Sequence, residues 1–470
     1  MFHTIRKIHF VGIGGSGMSG LAEVLVTLGY EVSGSDTKAS PVTERLSSLG
    51  ARVHIGHDAA HAEGAQVVVV SSAIARHNPE TLAAQAARVP IIHRSEMLAE
   101  LMRLKAGVIV AGTHGKTTTT SILATVLTHA GLDPTIVIGG RLNSLDSSAK
   151  LGQGELFVAE ADESDGSFLR LTPTIAVLTN IDRDHMDHYA SLEAIIDAFK
   201  MFVDKIPFYG ALCACYDDPL VQGILPAVRR RLVTYGLRLD ADVTARDIEF
   251  SGFETRFTPV ILGREAPRVR LRMPGRYNVS NALASYAVAH VLELDVEKVG
   301  KAIDAFEGVL HRFTVVGEEA RVMVVDDYAH NPKKIATLLG GIRESFPERH
   351  VCAVFQPHRY SRVSHLADEF AVSFKDADTV IVTPIYAAGE LPLPGATQDA
   401  LAARIASGSF DGSSASVKQA TDLAEAARLA SDICLSAAGE GGAIIVTMGA
   451  GDVRNVGTRS LECLRARMPR

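Results

Sequence analysis

Short apolar runs alternate along the chain with longer segments whose apolar residues recur at helical spacing. The runs predict strands at 7–12, 31–33, 52–55 and 67–71, and the spacing predicts helices over 18–28 and 42–49. Further on, strands are expected at 156–159 and 175–180, with a helix over 192–203. Between 243 and 271 the alternation breaks into short pieces interrupted by prolines, which predicts an antiparallel region. An alanine-rich helix over 278–292 follows Pro274-Gly275, and strands at 322–326, 350–355, 379–383 and 443–448 complete the pattern. The Gly/Ser-rich stretch 407–416 reads as a surface loop. Strand and helix alternating throughout is the pattern of an α/β protein with largely parallel sheets.

Length and composition sharpen this picture. A chain of 470 residues is too long for one core and implies about three domains. The balance of 47 basic against 54 acidic residues, a formal charge of −7, argues against a nucleic-acid partner. It leaves room for anionic small substrates, because local lysines and arginines set the field in a cleft. The five cysteines, Cys213, Cys215, Cys352, Cys434 and Cys463, form no CxxC pair, which fits a reducing compartment and gives no zinc pattern. The basic start runs into a segment holding His9 and broken at Gly12, a first strand rather than a signal peptide. No run is long enough to span a bilayer, so a soluble, cytoplasmic protein without membrane insertion is expected.

The chemistry is concentrated at strand ends. Val108-Ile109-Val110 leads through Ala111 into Gly112-Thr113-His114-Gly115-Lys116-Thr117-Thr118, and the residues from Ser121 read as a helix. A strand, a glycine turn and a helix start aim backbone N–H groups at one point; Lys116 adds a positive charge, and Thr117 a hydroxyl suited to Mg²⁺. That is a cradle for a nucleotide polyphosphate. The usual GxxxxGK[ST] pattern is not met, because Val110 stands five positions before Gly115, so the loop must turn at Gly112. A helix start without a ligand is the plainer alternative.

Three more segments follow the same logic. Gly12, Gly14, Gly15, Ser16 and Gly17, with Asp36 about twenty residues on, match a GxGxxG loop between strand and helix. NAD, FAD and nucleotide sugars all carry the diphosphate such a loop receives, and tight strand–helix packing explains it equally well. Glu160, Asp162, Glu163 and Asp165 end an apolar strand and can hold Mg²⁺ or its waters, or form a solvated loop. In the segment 179–189, His185 can ligate a divalent ion with Asp184 or Asp187 orienting its ring; aspartates capping a helix give the alternative reading. Asn278 and Asn281, three apart on one helix, can turn both amides toward one ligand. The segments 311–313, 326–332 and 356–362 mix Arg, His and Asp, which suits phosphate or carboxylate recognition but also surface ion pairs.

In order along the chain, GIGGSGMSG, GTHGKTTTT, EADESD, NIDRDHMDHY, GRYNVSNALA, HRF, DDYAHNP and QPHRYSR resemble the Mur ligase family of ATP-dependent amide-forming enzymes. Within it, GGSGMSG and Ser164 look more like the alanine-adding members than like those that recycle a whole tripeptide. GTHGKT is the family's own form of the phosphate loop.

The resemblance implies a Rossmann-like N-terminal domain for a UDP-sugar over 1–105, a central P-loop ATPase-type α/β domain over 106–313 and a Rossmann-like C-terminal domain over 314–470. It implies ATP as co-substrate, Mg²⁺ (two ions), and UDP-N-acetylmuramate and L-alanine as partners, in a monomer or homodimer. By position, Gly112, Thr113, His114, Gly115, Lys116, Thr117, Thr118, Asn281, Arg312 and Asp327 fall to ATP, and Thr117, Glu160 and His185 to the metals. Gly14, Gly15, Ser16, Gly17, Asp36 and Ser71 fall to the UDP-sugar, and Lys116, His330, His358, Arg359 and Arg362 to the amino acid and the chemistry. Lys200 aligns with a lysine that several family members carbamylate, and is otherwise an ordinary helical surface lysine.

Overall fold

A computed structural model describes residues 4–15, 17–75, 77–103, 105–142, 147–186, 188–309, 312–408 and 415–467. The N-terminal elements are β1 (Lys7–Val11), α1 (Ser19–Thr27), β2 (Glu31–Asp36), α2 (Pro41–Ser48), β3 (Arg52–Ile55), β4 (Val67–Val70), α3 (Pro79–Ala86), β5 (Ile91–His93) and α4 (Arg94–Met102). Ser40 caps α2 and Asn78 caps α3, each followed by proline. The five strands are parallel in the order β3-β2-β1-β4-β5. Strand order reverses between β1 and β4, and in such sheets ligands bind at the carboxyl ends of the strands flanking that point. The glycine loop follows β1, and Ser71 follows β4.

The central elements are β6 (Ala106–Ala111), α5 (Lys116–His129), β7 (Thr135–Leu142), β8 (Ser147–Lys150), β9 (Leu156–Glu160), β10 (Ile175–Leu178), α6 (Leu192–Asp204), β11 (Ala211–Cys215), α7 (Pro219–Ile224), β12 (Arg231–Tyr235), β13 (Val243–Ser251), β14 (Glu254–Ile261), β15 (Arg264–Glu265), β16 (Val269–Leu271), α8 (Arg276–Val291) and α9 (Val296–Asp304). The sheet order is β8-β7-β9-β6-β10-β11-β12-β13-β14-β15, parallel from β7 to β13. Its central strands are apolar on both faces, with Ile109, Val110, Val158 and Val177 fully buried. Pairing of Val110 with Glu160 and of Ala111 with Leu178 sets the ends of β9, β6 and β10 side by side. The phosphate loop and both acidic segments therefore leave one sheet edge together.

The C-terminal elements are β17 (Thr314–Glu319), β18 (Val322–Asp327), α10 (Pro332–Ser345), β19 (His350–Phe355), α11 (Tyr360–His365), α12 (Ala367–Val372), β20 (Thr379–Val382), α13 (Gln398–Ser407), β21 (Ser416–Gln419), α14 (Leu423–Ala437), β22 (Ala443–Met448) and α15 (Arg454–Arg467). They build a six-stranded sheet, β17-β18-β22-β19-β20-β21, in which only β17 is antiparallel. Asp327 and Phe355 both pair with Met448, which brings the ends of β18 and β19 to one edge.

The chain forms three sheets, yet it divides into two compact units. The N-terminal and central sheets share one apolar core, so position 105/106 separates sheets and not compact units. Residues 249–256 and 271–278 belong to the second unit, because Phe253 stacks edge-on with Phe313 and Phe346 and Arg276 pairs with Glu344. The stretch 243–271 is also less antiparallel than expected, since β13 joins β12 in parallel. The loop expected at 407–416 lies mostly outside the described residues, and Ser416 already opens the edge strand β21. Among the described residues no helix is long and apolar enough to cross a membrane.

Candidate functional site

The phosphate loop is fixed from behind by the segment that follows β10. Gly112 has φ +129°, and a Cβ there would lie 2.1 Å from Thr179 Oγ1. Only glycine fits this turn. The backbone N–H of Thr113 donates to the Asn180 carbonyl at 3.0 Å and that of His114 to Asn180 Oδ1 at 2.8 Å. Thr179 Oγ1 and Asn180 Nδ2 donate in return to the His114 carbonyl, at 2.7 and 3.0 Å. The His114 ring pairs with Asp182 at 2.7 Å, and Thr113 Oγ1 accepts the Asp182 N–H at 2.9 Å. Gly115, at φ +79°, then turns the chain into α5. The N–H groups at the start of that helix are thus preorganised for an anion.

Lys116 sits under this loop. Its Nζ donates to the carbonyls of Gly112 and Thr113, at 2.7 and 3.2 Å, and lies 2.6 Å from Glu163 Oε2. Burial works to lower the ammonium's pKa, but the Glu163 carboxylate outweighs it and raises the value above that of an ordinary lysine. Glu163 is itself buried, and its other oxygen is 3.5 Å from His185 Nε2. Burial likewise opposes charge on His185, and Glu163 with Asp184 overcomes it and raises its pKa. His185 adopts φ +56°, a left-handed conformation costly for a side-chain-bearing residue, and its N–H donates to Asp184 Oδ1 at 2.9 Å.

Thr117 Oγ1 donates to Glu160 Oε2 at 2.8 Å, so two hard oxygen donors converge at the first turn of α5. Among the described residues no cluster of three or more His, Cys, Asp or Glu side chains is close enough to hold a metal by itself. A hydroxyl and a carboxylate are oxygen donors of the kind Mg²⁺ accepts alongside waters and substrate phosphates. On the other side of the helix start, Thr119 Oγ1 donates to Asn281 Oδ1 at 3.1 Å, and a Cβ on Gly115 would lie 2.8 Å from that oxygen.

At the N-terminal sheet, the Gly14 N–H donates to Asp36 Oδ2 at 2.9 Å, so Asp36 braces the glycine loop itself. Arg94, at the head of α4, donates to Asp162 Oδ2. Although burial would raise the Asp162 pKa, Arg94 holds it at about 2. His93 faces Asp165 at 3.4 Å. Gly15 and Gly17 lie in the same loop, Ser71 is partly buried just past β4, and Ser16 is outside the described residues.

The second unit gathers its own polar group. Asp327 accepts the N–H groups of Phe313 and Ala329, each at 2.8 Å, and burial raises its pKa despite Arg312. The Arg312 guanidinium stands 5.4 Å over the Tyr328 ring. His330 Nδ1–H donates to the Tyr328 carbonyl at 2.7 Å, and burial, then Lys334 and Arg362, push its pKa well below the usual value. His358 lies 6.1 Å from His330 ring to ring and stacks on Tyr386. Burial, Arg362 and Arg359 bring its pKa down to about 4. Arg362 Nη1 donates to the His358 carbonyl at 3.2 Å, and Arg359 takes φ +69°.

Within the first unit the structure thus brings together the phosphate loop, Thr117, Glu160, His185 and Asn281. In the second it brings together Arg312 with Asp327, and His330 with His358 and Arg362. Three expectations fare differently. Lys200 pairs with Asp197 at 3.0 Å on the half-exposed face of α6 and lines an open pocket with Val203, Ile224 and Arg229, so it is not drawn to the Glu163 cluster. Asn278 does not share a ligand-facing amide with Asn281, because its Nδ2 donates to the Pro274 carbonyl at 2.7 Å. Asp187, the alternative partner for His185, lies outside the described residues, as does His311. The sequence reading gave no individual role to Glu163, Asp182 or Arg94. Glu163 stood within an acidic run whose members cannot be ranked without knowing which one faces inward.

Residues 7–106 match the Mur ligase family catalytic domain, 110–289 the Mur ligase middle domain and 311–451 the Mur ligase glutamate ligase domain. A UDP-N-acetylmuramate–L-alanine ligase from Trichlorobacter lovleyi is 54% identical over 403 residues, 86% of this chain and 88% of that protein. Another of the same name from Geotalea daltonii is 49% identical over 465 residues, 99% of both chains. Among solved structures, a UDP-N-acetylmuramate-alanine ligase from Thermotoga maritima superposes with TM-score 0.81 at 29% identity, covering 98% of this chain and all of that one. A murein peptide ligase from Psychrobacter arcticus does so with TM-score 0.70 at 25% identity, covering 99% of this chain and all of that one.

Proposed function

The chain belongs to the Mur ligase family, and on that premise we propose that it is the ATP-dependent ligase that joins L-alanine to UDP-N-acetylmuramate. This is the first amino-acid addition to the peptidoglycan precursor, and we assign it to the cytoplasm. The observation that carries the reading is the Lys116–Glu163–His185 group beneath a preorganised phosphate loop. The full-length relatives near 50% identity supply the substrates.

A carboxylate is a poor electrophile, because a nucleophile must add to a group already negative. Transfer of the ATP γ-phosphoryl group to the muramoyl carboxylate breaks the β–γ bridging bond and gives an acyl phosphate with a good leaving group. The neutral amine of L-alanine then attacks the acyl carbon, and the tetrahedral intermediate expels phosphate to leave the amide. Catalysis on this scheme is mainly positioning and charge neutralisation.

The Gly112–Thr118 loop binds the ATP phosphates through its amides, and Lys116 is assigned to the phosphate oxygens on which charge builds. Thr117 and Glu160 would hold Mg²⁺ and His185 a second ion, and ions held there would supply neutralisation of the phosphate charge. Asn281, Arg312 and Asp327 are assigned to the nucleotide, and Gly14–Gly17, Asp36 and Ser71 to the UDP-sugar. Arg359 and Arg362, with His358, are assigned to the alanine carboxylate. His330, neutral with its Nδ1–H given to Tyr328, offers Nε2 as an acceptor for the alanine amine.

The test is phosphate release from ATP with UDP-N-acetylmuramate, measured across glycine, L-alanine, L-serine and the stem tripeptide. Release that depends on L-alanine above the rest supports the reading. Release driven by the tripeptide, or by no amino acid, overturns it.

A further inference from the structure

Arg359 holds a backbone conformation that residues with a side chain rarely adopt, φ +69° and ψ 135°. Such strain persists only where neighbouring groups over-determine it. Here they come from one short loop, Tyr386–Glu390, that follows β20. Before the strained residue, the Tyr386 N–H donates to the Pro357 carbonyl at 2.8 Å. At Arg359 itself, the backbone N–H donates to the Tyr386 carbonyl at 2.9 Å. After it, Glu390 receives Ser361 twice, the backbone N–H on Oε2 at 3.0 Å and the hydroxyl on Oε1 at 2.6 Å. Arg359 is thus tied down on both sides by the same loop.

The loop is itself braced. The Tyr386 ring lies flat against the His358 ring, 5.6 Å between centroids with 9° between planes. A Cβ on Gly451 would come within 2.8 Å of the Tyr386 ring, so the glycine there makes room for it. Gly389 at φ +86°, and a hydrogen bond of 3.0 Å from the Glu390 N–H to the Ala387 carbonyl, turn the chain back toward Ser361. Burial opposes charge on Glu390, yet the two bonds from Ser361 and the Arg359 cation hold its pKa below that of an ordinary glutamate. Each oxygen of Glu390 is engaged by Ser361, so its attraction for the Arg359 cation acts through space.

We propose that Glu390 is a positioning residue for the amino-acid end of the reaction: through Ser361 it fixes the backbone that presents Arg359 to the carboxylate of the incoming amino acid. The proposal deepens the ligase reading and rests on it, because that reading assigns the carboxylate to Arg359, Arg362 and His358. Glu390 itself touches no substrate on this account and acts only through Arg359.

The experiment is phosphate release by the full chain, with two substrates saturating and the third varied. The proteins are wild type, Glu390→Ala, Glu390→Gln, Ser361→Ala, Arg359→Ala and the double variant Arg359→Ala/Glu390→Ala. Glu390→Ala should raise the L-alanine KM about tenfold or more, while kcat and the KM values for ATP and UDP-N-acetylmuramate move less than about threefold. Glu390→Gln, whose amide oxygen still accepts from Ser361, and Ser361→Ala should fall in between. In the Arg359→Ala background, adding Glu390→Ala should change the L-alanine kcat/KM by less than about twofold, since nothing remains to be positioned. An unchanged L-alanine KM in Glu390→Ala, parallel rises for all three substrates, or a fully additive loss in the double variant overturns the proposal. Should Glu390→Ala fail to fold, Glu390→Gln replaces it in both backgrounds with the same outcomes. Wild type that releases phosphate with no dependence on L-alanine overturns the ligase reading itself, a result distinct from any difference among these variants.

Discussion

Glu163 Oε2 lies 2.6 Å from Lys116 Nζ, and the second oxygen of the same buried carboxylate faces His185 at 3.5 Å. One side chain thus holds both the phosphate-loop cation and the histidine of the second acidic segment. Lys116→Ala is therefore expected to do two things. Loss of a well-placed stabilising group at such a centre costs roughly 3–4 kcal/mol in the transition state, so turnover should fall a hundredfold or more. It also strands Glu163 without its cation, at a cost on the order of 3 kcal/mol of stability. Phosphate-release rates and thermal unfolding of Lys116→Ala and Lys116→Ala/Glu163→Gln separate the two. The double variant should recover stability but not activity; recovered activity would remove Lys116 from the chemistry.

Gly112→Ala should be more damaging than its size suggests. The residue sits at φ +129°, and the new methyl would fall 2.1 Å from Thr179 Oγ1, against backbone that also anchors Thr113 and His114. Overpacking and backbone strain together cost roughly 2–6 kcal/mol. Equilibrium binding of ATP should drop sharply, while UDP-N-acetylmuramate binding is kept. Wild-type ATP affinity in the variant would show that the loop has room to relax.

Glu160→Gln keeps the shape of the Thr117 contact, since an amide oxygen still accepts the hydroxyl at this position. It removes the negative charge that favours a hard cation. The Mg²⁺ concentration for half-maximal rate should rise about tenfold or more, with the rate partly restored by excess metal. An unchanged Mg²⁺ dependence would place the ion elsewhere.

Much of this site was legible because its chemistry follows strands. Gly112, Glu160 and Thr179 each come directly after an apolar run, and parallel pairing carries such residues to one sheet edge. What stayed hidden depended on contacts distant in sequence. Arg94 opens a helix after the three-residue strand β5, too short to register as a strand, and its partner Asp162 is 68 residues away. β11, whose sequence ALCAC is buried throughout, shows no alternation to mark it. The sharing of one core by the first two sheets is likewise invisible to local periodicity. Asn278 misled for a related reason: helical spacing aligned it with Asn281, but its amide was already committed to Pro274.

His358 should remain neutral throughout the working range. Burial, Arg362 and Arg359 hold its pKa at about 4, so it gains a proton only as the pH falls toward that value. The alanine KM should therefore show no limb from His358 between about pH 6 and 8. Two-dimensional NMR of the labelled ring checks this directly. A titration midpoint near the ordinary histidine value would mean that the neighbouring arginines are held away from it in solution.

Glu80 sets a pH limit on the N-terminal sheet. Its fully buried carboxylate accepts from Ser35 Oγ at 2.6 Å and lies 3.3, 3.2 and 3.5 Å from ring nitrogens of His9, His61 and His57. Burial would raise its pKa, but hydrogen bonds with His9 and Ser35 hold it at about 2, against 4.5 for an ordinary glutamate. A folded-state value below the unfolded one means that the stabilisation is complete above about pH 4.5 and disappears as the pH falls through about 2. The interval corresponds to on the order of 3 kcal/mol. The chain has no tryptophan and more than one core, so a single unfolding curve is a poor gauge, and amide exchange in β1 and β2 is the better one. At neutral pH, Glu80→Gln should exchange faster there, by an amount that shrinks steadily below about pH 4.5. A difference between wild type and variant that stays constant down to pH 3 would mean that the ionised carboxylate is not what holds β1 and β2 together.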